Sequence, residues 1–449
     1  MEMKRLPGMM MCLLAAATFA HGDLSFSDHD EYLIDTNGGA YTYTRCVATG
    51  DLDLDGTEDV VVTDRYNENI VIYLNDGTGQ LTEADSITAT EQNRIVVVVD
   101  VNNDGLPDIC TACKNGANVF INLGDEPNGS PRFRYPVLLE AGVNPHWIEH
   151  ADLNNDGFQD LLVADFGTPD EAGGWYAFMN QGNGTFGDGI VFDWGIDARC
   201  ISIACDDLDQ DGFDDIAVLG RYTQLAVYTN QGIDSSTGHW NGAVNTSNYN
   251  LMGIEACSIR MADFQQDGST DIVLAHRTNS FTTILNNDGN GDFNIRLIYS
   301  LPSELAQPVD INRDGAVDLL LAHKYSGSFS AMINDGKGNF TLEFRSEASH
   351  SIDTKFLTCS DLDQDDDPDV ILVDAYPDED KGAIRVFFNE TPCNTMSLNA
   401  DCSVDILDLL LLIGSWGKCS EGTDCKADID QDGAVDVIDL LALISSWGS

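Results

Sequence analysis

The chain has 449 residues, room for two or three domains, and its 75 acidic residues against 22 basic give a formal charge of −53. That imbalance makes nucleic acid and anionic membrane surfaces poor partners for the molecule as a whole. Beyond an N-terminal apolar run, no stretch reaches the ~20 apolar residues that a membrane span needs.

Residues 1–20 read as a secretory signal: Lys4 and Arg5, an apolar run over 9–19, and small residues before a cut near Ala20. Cys12 offers a lipoprotein anchor as an alternative, but Met11 stands where processing favours a small residue. The mature protein is expected to be secreted or on the cell surface, in an oxidising compartment.

A short acidic frame then recurs seven times at spacings of 47 to 56 residues. Loop 1 carries Asp51, Asp53, Asp55 and Asp59, loop 2 Asp100, Asn102, Asp104 and Asp108, and loop 3 Asp152, Asn154, Asp156 and Asp160. Loop 4 carries Asp207, Asp209, Asp211 and Asp215, and loop 5 Asp263, Gln265, Asp267 and Asp271. Loop 6 carries Asp310, Asn312, Asp314 and Asp318, and loop 7 Asp361, Asp363, Asp365 and Asp369. Oxygen side chains at positions 1, 3, 5 and 9, with glycine at 6, can wrap one hard cation, because alternate residues of a tight turn point inward. Ca²⁺ suits such a site. Loops 5 and 7 depart most, through Gln265 at position 3 and Asp366 in place of the glycine. The loops hold 24 of the carboxylates, so much of the negative charge sits where cations can neutralise it.

Each frame is flanked by β-rich runs, such as 94–100 before loop 2 and 60–63, 161–164, 272–275 and 370–373 after loops 1, 3, 5 and 7. A third run ends at Asn75, Asn122, Asn180, Asn230, Asn286, Asn334 and Asn389. Glycine-rich turns ahead of Phe186, Phe293 and Phe340 open a fourth. Four strands per ~50 residues, seven times over, predict an all-β seven-bladed propeller over 21–390. The last repeat stops at Asn389 without its fourth strand, whereas Leu24, Phe26 and 31–34 match the missing piece. An N-terminal strand should therefore complete the last blade and remove the open edge.

At these residues the chain resembles the FG-GAP and VCBS repeat proteins, among them the head of the integrin α subunit. The resemblance implies Ca²⁺ held by the acidic turns on one face, up to seven ions that brace the blades, in a monomeric propeller.

After a linker at 391–396, a different duplication occupies 397–449. Two apolar segments, 407–417 and 438–448, lie 31 residues apart and read as short helices. Asp428, Asp430, Asp432, Asp436 and Asp439 before the second occupy EF-hand ligand positions, the last with Asp for Glu. The first loop keeps Asn399, Asp401, Asp405 and Asp408, but has Ser397 at its first position and Cys402 for the glycine. Two such loop-helix units resemble a dockerin domain, a small all-α Ca²⁺-binding module. That implies one or two further ions and a cohesin-type protein as partner; a calcium-stabilised tail without a partner is the alternative.

His146, Glu149 and His150 match a zinc-peptidase pattern, but on a strand the two imidazoles stand roughly 13 Å apart. Cys110 and Cys113 form a CxxC with no second pair at zinc-finger spacing, and Cys46, Cys205, Cys257 and Cys359 read as small buried thiols. Cys393 with Cys402, and Cys419 with Cys425, could form local disulfides.

Aligning the repeats exposes a second constellation. Fourteen residues after each first Asp stand Arg65, Lys114, Phe166, Arg221, Arg277, Lys324 and Ala375. Six residues before it stand Arg45, Arg94, His146, Ile201, Cys257, Glu304 and Lys355, with Arg199 two places from its slot. If one strand runs down to the acidic loop and the next runs back, both sets lie on the opposite face near the central opening. Either these cations pair with carboxylates such as Asp64, Asp165, Asp374 and Glu149, or they form a rim for an anionic ligand. Tyr66, Phe166, Tyr222, Tyr325 and Tyr376 lie close by for stacking on sugar rings. The reading is a secreted, calcium-dependent binding and scaffold protein for an acidic polysaccharide or another surface ligand. The alternative is a polysaccharide lyase, with His146 or His323 as base, or a glycosidase.

Overall fold

A computed structural model describes residues 24–27, 29–34, 43–65, 67–84, 86–89, 92–125, 130–171, 173–193, 199–221, 224–237, 239–250, 256–347, 353–376, 381–391, 398, 406–419, 425–429 and 434–445. The segment read as a signal, with Cys12, and Tyr66, Tyr222, Cys393, Ser397, Asn399, Asp401, Cys402, Asp405, Asp430 and Asp432, lie outside them. The chain divides into two compact units, Leu24–Glu390 and one from Thr391 onward.

The larger unit is a seven-bladed propeller of four-stranded antiparallel sheets. The first strands are Thr44–Gly50, Val96–Val99, Pro145–Ala151, Cys200–Asp206, Ala256–Ala262, Leu305–Val309 and Asp353–Ser360. Each packs against the first strands of both neighbours, so the seven close a ring around the axis. Each leads into its acidic loop, and the second strand begins at the ninth loop position: Asp59–Asp64, Asp108–Cys113, Asp160–Asp165, Asp215–Gly220, Asp271–His276, Asp318–His323 and Asp369–Tyr376. In the first six of these, every residue is buried. A blade is covered on both faces by its neighbours, so its second strand is buried throughout and its central apolar run does not alternate.

Ring closure follows the expectation. Asp30–Ile34 pairs antiparallel with Lys381–Phe387, Asp30 opposite Val386 and Ile34 opposite Gly382. Phe26 bridges to Asn389, and the Glu390 N–H donates to the Ser25 carbonyl at 2.9 Å. Blade 2 varies the plan: a hairpin of Asn122–Asp125 with Pro131–Phe133 replaces the glycine-rich turn before its outer strand Val137–Glu140.

The asparagine at the end of each third strand locks adjacent blades. Its Nδ2 donates to the carbonyl of the second loop residue in the preceding blade: Asn122 to Leu52, Asn180 to Val101, Asn230 to Leu153, Asn334 to Phe264, Asn389 to Ile311 and Asn75 to Leu362, at 2.7 to 2.9 Å. In blade 5 the locking residue is Asn287, with Nδ2 at 2.7 Å from the Leu208 carbonyl, and not Asn286 as read from the sequence. The Asn-Asn doublet hides the register, which is set by the Asn287 N–H donating to Asp271 Oδ1 at 2.8 Å. A second link runs the other way. The fourth loop residue donates to the sixth-position carbonyl of the next blade: Asn103 to Gly157, Asn155 to Gly212, Gln210 to Gly268, Gln266 to Gly315 and Gln364 to Gly56.

The C-terminal unit holds helices Ile406–Gly414 and Val437–Ser445 and a two-stranded ribbon, Gly417–Lys418 with Ala434–Val435. Leu412, Ala427, Val435 and Leu443 form its small core. Asp408 and Asp439 are fully buried at matching places, accepting from the Leu398 and Ile429 N–H groups at 2.5 and 2.6 Å. Asp436 caps its helix by accepting from the Ile438 N–H at 2.8 Å. Cys419 and Cys425 form the expected disulfide, with Cα atoms 6.0 Å apart.

The asparagine lock is testable. Asn180→Ala removes Nδ2 bonds to the Val101 and Gln159 carbonyls at 2.7 and 2.8 Å and leaves the first acceptor buried without it. A loss of roughly 2–3 kcal/mol is expected from urea midpoints. A loss below about 0.5 kcal/mol, the range of ordinary surface changes, would remove the lock from the account.

Candidate functional site

Two sites lie at opposite ends of the propeller strands. At one end each acidic loop is tied into a single shape. The first-position carboxylate accepts from the N–H groups of positions 5 and 6, as Asp51 does from Asp55 and Gly56 at 3.1 Å. The ninth accepts from the second loop residue and from the locking asparagine, as Asp59 does from Leu52 and Asn75 at 2.9 and 3.0 Å. The same pattern holds in all seven loops.

These shapes gather ligand oxygens. Carboxylate oxygens of Asp51, Asp53 and Asp59, of Asp207, Asp209 and Asp215, and of Asp361, Asp363 and Asp365 lie within 4.8 Å of one another. Oxygens around one Ca²⁺ at 2.3–2.6 Å stand at most about 5 Å apart, so the sets fit that ion. Loop 7 assembles its set although Asp366 replaces glycine, because Asp366 adopts the left-handed conformation at φ 68°. In loop 5 the Gln265 amide donates to Asp271 Oδ2 at 2.7 Å. Burial pushes the ninth carboxylates up, Asp59, Asp108, Asp160, Asp215 and Asp369 to about 7, Asp271 to about 6 and Asp318 to about 8. A bound cation would counter that cost.

At the other end, second and third strands meet in turns such as the one after Asp64, where the Arg65 N–H donates to the Tyr43 carbonyl at 3.0 Å. Here the axis opens into a cavity of about 380 Å³. Six of the seven residues expected six places before the loops line it: Arg45, His146, Ile201, Cys257, Glu304 and Lys355. From the other set Phe166, Arg221, Arg277 and Lys324 join them. Arg65, Arg94 and Lys114 do not line the cavity. Arg65 is half-buried in its turn and Lys114 is exposed at the next. Arg94 is buried and braces blade 3, donating to the Pro145 carbonyl and to Asn144 Oδ1 at 2.6 Å.

Several of the gathered cations have protein partners. Arg277 forms a two-pronged ion pair with Glu304, both bonds 2.6 Å. Burial alone would raise the Glu304 carboxyl, but the Arg277 guanidinium holds it below the usual range. Lys355 pairs with Asp353 and lies 4.8 Å from the Tyr43 ring centre. His146 stacks on Phe166 with centroids 4.4 Å apart, and the Arg199 and Arg221 guanidiniums lie 5.2 and 5.6 Å from that ring. Burial, reinforced by Arg94 and Arg45, lowers the His146 imidazole to about 2, so it is neutral and a weak base. Tyr325 beside Lys324 is exposed, Tyr376 ends its strand, and His323 is buried away from the cavity, bonded to Pro302 and Ser330.

Trp147, Ser258 and Phe356 also line the cavity and were not legible as site residues. Register shifts fall between Pro145 and Trp147, Ala256 and Ser258, and Thr354 and Phe356. At such bulges two consecutive side chains reach one side, which defeats a reading by strict alternation. The same shift recurs near Thr44 and Cys200.

The FG-GAP-like repeat family matches over 51–111, 100–163, 152–218, 207–274 and 310–372, together well over half of the chain. The chain belongs to the FG-GAP repeat family. Residues 398–446 match the Dockerin type I domain. Integrin alpha-3 of Mus musculus is 49% identical over 104 residues, 21% of this chain and 10% of that protein. Integrin alpha-3 of Cricetulus griseus is 49% identical over 111 residues, 22% of this chain and 10% of its own length. The chain thus spans about a tenth of these relatives. Among solved structures, BBS1N in complex with ARL6DN shares the fold, with TM-score 0.55 and 16% identity over 83% of this chain and 98% of that one. A protein from Lactobacillus plantarum gives TM-score 0.50 and 12% identity over 69% and 86%. Both FG-GAP repeats and a dockerin domain are thus present, and no helix among the described residues is long and apolar enough to cross a membrane.

Dockerin domains bind Ca²⁺, and the acidic clusters extend that expectation to the propeller. Chelation should lower the melting temperature, since each site filled at 100-fold its Kd contributes about 2.7 kcal/mol. Calorimetry with and without chelator measures this; an unchanged melt would discard the metal assignment.

Proposed function

We propose that this protein is a secreted, Ca²⁺-dependent scaffold module whose propeller binds an anionic ligand, most plainly an acidic polysaccharide, while its dockerin tail binds a cohesin-type protein. The observation that supports the ligand site is the axial cavity, where Arg45, Arg221, Arg277, Lys324 and Lys355 face the rings of Phe166, Trp147 and Phe356. Guanidiniums recognise carboxylates and sulfates, and aromatic faces stack on pyranose rings. For the tail, the support is a pair of helix faces left open: Leu407, Leu410 and Leu411 on the first and Ile438, Leu441 and Ile444 on the second are 45–62% exposed. Apolar area of that extent on a small domain marks a protein-binding surface.

Among the described residues Glu304 is the one carboxylate lining the cavity, and it is committed to Arg277. Retaining glycoside hydrolysis needs two carboxyl groups ~5–5.5 Å apart, and lyase chemistry needs a better base than a neutral, buried His146. Both points favour binding over catalysis.

Full-length protein in Ca²⁺ should bind acidic polysaccharides over neutral ones, more weakly at high salt and without cleavage products. Joint Arg45→Ala and Lys324→Ala should weaken that binding by tenfold or more, as expected for two charge-assisted contacts. Equal binding by the double variant would move the site elsewhere, and cleavage would restore the enzyme reading.

A further inference from the structure

Most of the acidic loops reach the next one through a single side chain. The fourth loop residue is Leu54, Asn103, Asn155, Gln210, Gln266, Arg313 or Gln364, and all seven hold a left-handed backbone, at φ 52–60°. Glycine would adopt that conformation more readily, so what a larger residue adds is its side chain. The acceptor in the next blade is the sixth-position carbonyl: Asn103 to Gly157, Asn155 to Gly212, Gln210 to Gly268, Gln266 to Gly315 and Gln364 to Gly56, at 2.6 to 3.0 Å. That carbonyl shares a peptide group with the seventh-position N–H. This N–H donates to the fifth-position carboxylate, as Phe158 does to Asp156, Phe213 to Asp211, Ser269 to Asp267, Ala316 to Asp314 and Thr57 to Asp55, at 2.8 to 3.0 Å. One planar peptide thus stands between a side chain of one loop and a candidate ligand of the next.

The other end of each link is held by its own site. Next to the fourth residue stands the fifth, whose N–H donates to the first carboxylate, as Asp156 does to Asp152 Oδ1 at 3.0 Å. Closing the first, third and fifth side chains on an ion therefore fixes the fourth residue between them. A fixed donor orders the peptide that aims the fifth carboxylate of the next blade, and order already present need not be made again when that blade fills. A hydrogen bond on the carbonyl also strengthens the N–H of the same peptide as a donor. Two junctions differ. Arg313 of loop 6 reaches the Asp365 carbonyl and Asp367 Oδ2 at 3.4 and 3.2 Å. Leu54 of loop 1, 54% exposed, has no polar side-chain atom to offer loop 2.

Resting on the reading of these loops as Ca²⁺ sites, we propose that the five fourth-position amides are positioning residues for the metal site of the next blade. Filling one loop then raises the Ca²⁺ affinity of its successor, and Leu54 leaves loop 2 without a predecessor. The junction of loops 3 and 4 shows the arrangement most fully. Carboxylate oxygens of Asp207, Asp209 and Asp215 gather within 4.8 Å, Asp209 Oδ1 is buried with no hydrogen-bond partner among the described residues, and the Asn155 link to Gly212 is 2.6 Å long.

Calorimetric titration of the chelator-stripped full-length protein with Ca²⁺, paired with native mass spectrometry to count ions per molecule, tests this. Asn155→Ala is expected to weaken one ion by about fivefold or more while the total count holds. Asp209→Ala should remove one ion, and on that background Asn155→Ala should change no remaining affinity, a result that a merely structural asparagine would not give. Leu54→Gln should tighten one ion by a similar factor, since Gln210, Gln266 and Gln364 already hold this conformation. Placed at an exposed position, it decides the matter even if Asn155→Ala fails to fold. Unchanged affinities in both Asn155→Ala and Leu54→Gln, or an equal loss from Asn155→Ala with and without Asp209, would overturn the coupling and leave the metal sites standing. If no ion binds beyond those of the tail, the metal reading falls and the coupling with it.

Discussion

One buried carboxylate per blade carries more of this structure than any other group. The ninth loop residue accepts one N–H from its own loop and one from the asparagine ending its third strand, as in Asp160 with Leu153 and Asn180 at 3.1 and 2.7 Å. That asparagine then turns its amide to the preceding loop. Loop shape, strand end and blade spacing therefore depend on a single side chain whose burial favours protonation. A cation on the same carboxylate would stabilise its charged form, which would link the filling of a loop to the blade-to-blade register.

The geometry also explains how so acidic a molecule could receive an anion. A six-residue strand of ~3.3 Å per residue separates the loops from the cavity by about 20 Å, while exposed charges are screened over about 8 Å at physiological ionic strength. At the cavity the local field is set by Arg45, Arg221, Lys324 and their neighbours, not by the net charge. Cations bound in the loops would reduce the distant term further. The negative total should still slow the approach of polyanions at low salt.

Much of the fold was legible because the propeller writes its period directly into Asp51, Asp100, Asp152 and their successors. Even the closing strand was visible, through a repeat that ends short at Asn389 and a fragment at Leu24 and Phe26 that completes it. The cationic columns located the cavity because strand length is uniform between the loops and the opposite turns. What stayed hidden came from local departures. Arg94 has the right spacing, yet its strand begins only at Val96, and its side chain is drawn sideways onto Asn144. Trp147, Ser258 and Phe356 follow bulges that a two-residue alternation cannot register. Arg260 meets the rings of Trp147 and Phe356 from two other blades, and no spacing within one repeat reports such a meeting.

The last blade is completed by the first strand, and the tail leaves the chain from that same sheet. Lys381–Phe387 lies between Asp30–Ile34 and Asp369–Tyr376, paired antiparallel on both sides, and runs on within a few residues to Thr391. If the tail is anchored while the propeller holds a large ligand, tension pulls this strand along its own axis. Its ladder hydrogen bonds on both edges then share the load in shear instead of opening one at a time, so the seam that closes the ring would also resist the pull.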